Sequence, residues 1–399
     1  MSVALAGRRP YHHRQTFCKH CCMTSLVSQP WRAGFWLAHR GVRGFTLAVL
    51  CELLIPASAG AASLEIRATR PLDAPIVHPA MLPGTDGENI NGPSMIRVPS
   101  WVKNPLGKYY LYFSHHNGKY LRLAYADSVA GPWKIHALGV LQLTDQNAVK
   151  GHVASPEVVV DEAKRQLVLF YHGNHPAKRP SAERVEGEET PQLTAVAFSN
   201  DGLQFTATTI VVGPAYLRVF QHRDRWYALN HSGDLRSAPR FDSPFETIAT
   251  IIGPEIEDEV DPARRGEPGA TPAESRPPNG PFRYSIRHIG TDVWNDHLII
   301  YFSCAGHRPE RILATVVDLK GPPENWRAQG VIEVLRPERD WEGAHLPLVY
   351  SRGGVTRDKV NQLRDPAVYR EGGDAWLIYS IAGENGLGLA RLEYTLKSR

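Results

Sequence analysis

The chain has 399 residues, 42% of them apolar, with 34 Gly and 31 Pro, which suits a turn-rich fold with a substantial core. Its formal charge of +4 hides an imbalance: residues 1–62 hold seven Lys/Arg against one acid, Glu52, so the remaining residues carry a net −2. A slightly acidic body gives a nucleic-acid partner no electrostatic footing. The lone cysteine beyond residue 62, Cys304, rules out a disulfide framework there.

Residues 1–62 read as a leader outside the fold. Arg40-Gly-Val-Arg43 is a basic stub, Phe45 to Ile55 is a short apolar stretch interrupted by Glu52, and Ala57-Ser-Ala-Gly-Ala-Ala62 offers small-residue cleavage sites. That is the order of an export signal, and the stretch is too short to span a membrane. Signals run about 15–30 residues, so the segment ahead of Arg40 is surplus and an initiator near Val42 is expected. The protein is expected to be secreted or periplasmic, with no membrane attachment after leader removal; a disordered extension is the other reading. Cys18-Lys-His-Cys21-Cys22 is half of a zinc pattern, without a second pair at finger spacing.

Beyond the leader one pattern recurs five times: a short turn-led strand, then an aromatic-rich strand ending in small or polar residues. The copies begin at Gly92 with Lys108–His116, Ser155 with Gln166–Gly173, Tyr216 with Arg225–Ser232, Tyr284 with His297–Cys304, and Arg364 with Ala375–Gly383. Third strands follow, as in Leu121–Ser128 and Leu193–Asp201, with turn signals at Gly131-Pro132, Asp201-Gly202 and Asp242-Ser-Pro. Units of this size cannot bury their own faces and must stack. The reading is an all-β, five-bladed β-propeller with a non-folded N-terminal leader. Its blades fall near 91–140, 152–212, 214–252, 282–335 and 362–396. A strand at 63–70 is expected to complete the last blade and cover its edge. The charged stretch Pro176–Gln192 and the acidic, then Pro/Gly/Arg-rich stretch Pro254–Pro281 read as surface loops.

Several stretches together resemble glycoside hydrolase family 43 and its five-bladed relatives, the arabinanases, levansucrases and invertases. They are Asn91–Val98, Gly107–Ser114, Arg122–Trp133, Ser155–Asp161 and Leu363–Tyr369. The resemblance implies a general base at the start of the first inner strand, where this chain has Asn91. It also implies an Asp-Pro step tuning the proton donor. The second blade has Ser155-Pro156 at that step, with Glu157 next, and Asp365-Pro366 stands in the fifth blade.

Glycoside hydrolysis needs two carboxyl groups flanking the sugar, and acids at inner-strand starts face the channel mouth. Asp365, beside Arg364, is expected to stay ionised as a base; Glu157, between Pro156 and Val158, is the candidate acid. Glu342 follows Trp341, a carboxylate beside a stacking platform, and Asp86 and Glu88 precede the first blade. Asn91, His116, His152, Arg218, Arg287, His288, Arg364 and Trp341 are the candidate substrate-binding residues. So many Arg and His around one channel point to an anionic ligand, such as an acidic sugar or phosphate, or else satisfy buried strand ends. No cofactor is required and no metal ligand set is assigned, although the histidines leave room for a channel-bound cation such as calcium. The expected function is hydrolysis of oligo- or polysaccharides by a monomer. The alternatives are a phosphorylase of the same clan and a catalytically inactive carbohydrate-binding propeller. A protein-interaction scaffold is a third class.

Overall fold

The computed structural model describes residues 63–176, 192–260 and 286–397. The leader and most of both expected surface loops lie outside these residues. Among the described residues, twenty strands form five four-stranded antiparallel sheets. Blade 1 holds β2 (Asn91–Arg97), β3 (Tyr109–Ser114), β4 (Tyr120–Ala126) and β5 (Lys134–Gln142). Blade 2 holds β6 (Lys150–Asp161), β7 (Gln166–Asn174), β8 (Gln192–Ser199) and β9 (Thr206–Pro214). Blade 3 holds β10 (Arg218–His222), β11 (Arg225–Leu229), β12 (Asp234–Ala238) and β13 (Glu246–Thr250). Blade 4 holds β14 (Ile286–Trp294), β15 (His297–Cys304), β16 (Ile312–Asp318) and β17 (Ala328–Leu335). Blade 5 holds β18 (Arg364–Glu371), β19 (Asp374–Ser380), β20 (Leu387–Lys397) and β1 (Ser63–Thr69). The chain is a five-bladed β-propeller.

The ring closes through β1, which pairs with β20 from Ser63↔Lys397 to Thr69↔Arg391. This covers an edge that β20 would otherwise present.

The aromatic second strands are apolar on both faces because each sheet is sandwiched between two others. Tyr110 and Tyr112 pack toward blade 2, whereas Leu111 and Phe113 pack toward blade 5. Each blade-to-blade interface has its own apolar cluster: blades 1/2, 2/3, 3/4, 4/5 and 5/1. Each such ring or branched side chain contributes about 1.5–3 kcal/mol by leaving water. The outermost strands are more open, as in β9, where Val212 is the one buried residue.

One element departs from the sequence reading. Pro254–Val260 is a short helix, α1, in a stretch read as loop. It docks through Ile256 and Val260, both buried against the blade 3/4 cluster. That i, i+4 pair is hard to see among Glu255, Glu257, Asp258 and Glu259.

Candidate functional site at the axial mouth

Four innermost strands share a defect that builds the site. In β2 the pairing steps from Asn91↔Ser114 to Ser94↔Tyr112, and in β6 from Ala154↔His172 to Glu157↔Phe170. In β14 it steps from Ile286↔Cys304 to Ile289↔Phe302, and in β18 from Arg364↔Ser380 to Ala367↔Ile378. Each is a bulge with one extra residue on the inner strand, a device that bends the strand and re-aims its side chains. Gly92, Ser155 and Asp365 occupy these bulges in the left-handed region, at φ 57°, 44° and 48°. The Pro that follows each of them has no N–H to lose from the ladder. Thus Ser155, His288 and Asp365 are brought together from blades 2, 4 and 5.

Arg218 of β10 closes the axis beneath them. Its guanidinium donates to the carbonyls of Ile289, at 2.9 Å, and Pro156, at 2.9 Å, and to Glu157 Oε2 at 2.6 Å. A fourth contact reaches Pro93 O at 3.5 Å, so one side chain ties blade 3 to blades 1, 2 and 4. Glu157 is therefore the counter-ion of this plug. Burial raises its pKa against the pull of Arg218.

At the mouth, Asp365 Oδ1 lies 2.8 Å from His288 Nδ1, and Ser380 Oγ donates to Asp365 Oδ2 at 3.2 Å. Burial alone would raise the Asp365 carboxyl; His288, Arg287 and Arg364 outweigh it and hold the group well below the usual carboxylate range. Two acids not singled out from sequence complete the electrostatics, Glu310 and Glu384. They lie in the loops after β15 and β19, where second strands hand over to third strands. Arg364 bridges them, with Nε 3.1 Å from Glu310 Oε2 and a terminal nitrogen 3.0 Å from Glu384 Oε1. Its other terminal nitrogen donates to Gln362. Arg287 Nε is 2.7 Å from Glu310 Oε1, and its remaining nitrogens donate to the carbonyls of Arg352 and Gly354 in the β17–β18 connection.

The expected cationic mouth is corrected by this arrangement. The three guanidiniums are spent on carboxylates and carbonyls. With Arg218 matched by Glu157, the group around Asp365 sets Arg287 and Arg364 against Glu310, Glu384 and Asp365, a surplus of one negative charge.

Asn91 is fixed by a chain of hydrogen bonds. The Ser155 N–H donates to Ser114 Oγ at 3.1 Å, whose hydroxyl donates to Asn91 Oδ1 at 2.8 Å. That leaves Asn91 Nδ2 to donate to Glu384 Oε2 at 3.1 Å, beside Asn89 Nδ2 at 2.5 Å. A carboxylate thus stands against the position where the resemblance implies one, supplied from blade 5 while blade 1 supplies an amide.

Imidazoles line the rest of the mouth. His116 Nδ1 lies 3.5 Å from Glu384 Oε2 and is the more open of the carboxylate-held pair, with 24% of its side chain exposed. Tyr216 packs on His172 with ring centroids 4.1 Å apart and on His288 at 4.5 Å, while His152 meets His172 at 5.5 Å. Burial, then His152 and His288, push His172 well below its ordinary pKa; burial and His116 lower His152; burial brings His231 to about 4. These rings are neutral donors or acceptors near pH 7.

Glu342 and Trp341 are not brought to this cluster. Glu342 Oε1 accepts from Arg70 Nε and from Tyr379 Oη, each at 2.7 Å, and Oε2 accepts the backbone N–H groups of Glu338 and Arg339. It is a fully buried clamp for the chain entering and leaving blade 5. Trp341 packs on the blade 4/5 core instead of standing free. Among the described residues no group of three His, Cys, Asp or Glu is disposed to hold a metal ion.

No family model matches the chain. The uncharacterised protein R118 of Acanthamoeba polyphaga mimivirus is 32% identical over 322 residues, spanning 76% of this chain and 83% of that protein. Among solved structures, a protein of Parabacteroides distasonis assigned as a glycoside hydrolase superposes with a TM-score of 0.50 at 12% identity, covering 81% of this chain and 95% of that one. The GH43_1 enzyme of Xanthomonas citri complexed with xylose gives 0.49 at 12% identity, covering 83% and 94%. The architecture is a five-bladed propeller, the fold it shares with the Parabacteroides distasonis protein.

Proposed function

The chain belongs to the family of the mimivirus protein R118, and we propose that its glycoside hydrolase-like propeller binds a neutral saccharide at the axial mouth and hydrolyses an O-glycosidic bond. One observation carries this reading: two carboxylate-held imidazoles, His288 on Asp365 and His116 on Glu384, stand at the same end of the axis. A carboxylate beside Nδ1 favours a proton on that nitrogen, leaving Nε2 to exchange protons. His288 then takes a proton from the attacking water, and His116, the more open ring, gives one to the leaving oxygen. Neutral His152 and His172, with Asn91, offer hydrogen bonds to sugar hydroxyls. The negative surplus disfavours phosphate as acceptor and disfavours acidic sugars, so water and a neutral glycan fit better.

The test is release of reducing sugar from a panel of neutral and uronic oligosaccharides. Activity on a neutral member, reduced about 10²–10⁴-fold in His288→Ala and His116→Ala, supports the reading. Exclusive turnover of uronic substrates contradicts it. Non-catalytic sugar binding is the second reading, favoured by the amide of Asn91 in place of an acid. Tight binding without release across the panel would select it.

A further inference from the structure

The innermost strands of blades 2, 4 and 5 place a serine, an imidazole and a carboxylate in sequence. Asp365 Oδ1 is 2.8 Å from His288 Nδ1, and His288 Nε2 is 3.4 Å from Ser155 Oγ. We propose that Ser155, His288 and Asp365 form a nucleophile–base–carboxylate relay that hydrolyses acyl esters carried on a saccharide. The saccharide part of that substrate rests on the function proposed above; the serine chemistry does not.

Four features beyond the distances support the relay. Ser155 sits in a bulge at φ 44°, a conformation a non-glycine residue holds at some cost and one that marks functional positions. Sharp, strained turns of this kind present the serine of other hydrolases. Second, among the described residues the hydrogen-bond contact of Ser155 Oγ is His288 Nε2, while its backbone N–H is held separately by Ser114. Third, the relay is rigid. Tyr216 packs on the His288 ring, and Ser380 occupies the second Asp365 oxygen, so Oδ1 stays turned toward Nδ1. Fourth, Gly92 leaves room at the hydroxyl: a Cβ there would lie 3.2 Å from Ser155 Oγ and 3.0 Å from its Cα. The 3.4 Å contact is longer than a committed proton-transfer bond, as is common before substrate tightens the site.

The chemistry balances without a further reactant. Ser155 Oγ forms a bond to the acyl carbon as its proton passes to His288 Nε2, and the carbonyl π pair moves to the acyl oxygen. Collapse of that adduct breaks the bond to the sugar oxygen, which takes the proton from Nε2 and leaves as an alcohol. Water repeats the sequence on the acyl-serine and releases a carboxylic acid. Asp365 does not take up the proton; as the positioning residue it holds the Nδ1 tautomer and the imidazolium that forms.

A fluorophosphonate probe tests the relay directly, because it reports an activated serine without any knowledge of the sugar. The full chain is incubated with the probe, and adducts are mapped by peptide mass spectrometry. The expected result is a single adduct on Ser155, with a labelling rate at least about 100-fold lower in His288→Ala. In Asp365→Asn the pH dependence of labelling should shift, since an amide there no longer favours the same tautomer. The parent protein alone can overturn the proposal: no adduct at Ser155 under excess probe rejects it, whatever becomes of the variants. Labelling at an unchanged rate in His288→Ala also rejects it. Glycosidic release without Ser155 labelling would reject the relay and leave the glycosidic reading standing. Labelling with acetate release from an acetylated oligosaccharide, but without glycosidic cleavage, would keep the relay and remove that reading.

Discussion

Replacing Asn91 by Asp restores the acid that the resemblance implies, and the structure says that this harms the protein. Asn91 Nδ2 is 3.1 Å from Glu384 Oε2, and its orientation is locked because Ser114 donates to Oδ1. In Asn91→Asp two carboxylates would face each other across that distance. At an effective dielectric of about 20 they repel by roughly 5 kcal/mol. Taking up a proton instead costs about 1.4 kcal/mol per pH unit above an ordinary Asp pKa of about 3.9, or about 4 kcal/mol at pH 7. Protonation is the cheaper route, and the acid then donates to Glu384 much as the amide does. The expected destabilisation is therefore about 4 kcal/mol at pH 7, falling to about 1.5 kcal/mol at pH 5. Urea unfolding of parent and variant at both pH values measures it. A double variant, Asn91→Asp with Glu384→Gln, should regain at least half of the loss at pH 7, because one carboxylate and one amide again face each other. An Asn91→Asp protein as stable as the parent at pH 7, or equally destabilised at both pH values, would refute this reasoning.

Other outcomes follow from the same contacts. Glu342→Ala should cost about 1–3 kcal/mol, because Arg70 Nε and the Tyr379 hydroxyl lose their buried acceptor while Arg70 keeps Glu338 and the Arg336 carbonyl; chemical denaturation reads it. Gly92→Ala should cost about 1–2 kcal/mol from its positive φ, and its added Cβ should also slow Ser155 labelling. Burial lowers His231 to about 4, whereas the unfolded ring titrates near 6.5. Between those values the unfolded state binds more protons, so stability rises with pH across that window. The slope of unfolding free energy from pH 4.5 to 6.5 should flatten in His231→Gln; an unchanged slope would show that this ring is solvated.

The ring of blades was legible because its signal is local. Continuous apolar second strands, such as Leu298–Phe302, are what a sheet buried on both faces requires, and Gly131-Pro132, Asp201-Gly202 and Asp242-Ser-Pro mark outer returns. The strand completing blade 5 could be placed from the edge it had to cover. The mouth was most legible where its residues lie at inner-strand starts, which is how Asp365, His288, Arg364 and Asn91 stand out, with His116 found instead just past the end of a second strand. Glu310 and Glu384 escape that search because they follow second strands. Their meaning comes from Arg364, which bridges them only once the ring is closed. For the same reason Arg218, Arg287 and Arg364 look like ligand-binding cations in sequence, although they are internal ties. Glu342 beside Trp341 looks like a site acid, yet its partners Arg70 and Tyr379 lie far off along the chain. Ser155 at a Ser-Pro step reads as a missing acid; its value as a hydroxyl depends on His288, 133 residues away.

The most direct measurement is the structure of a complex with a neutral oligosaccharide. It should show a sugar ring at the axial mouth, within hydrogen-bond distance of His288 and His116, with Arg218 beneath it still bound to Glu157. A saccharide seated elsewhere on the blades, with the mouth free of sugar, would contradict the account.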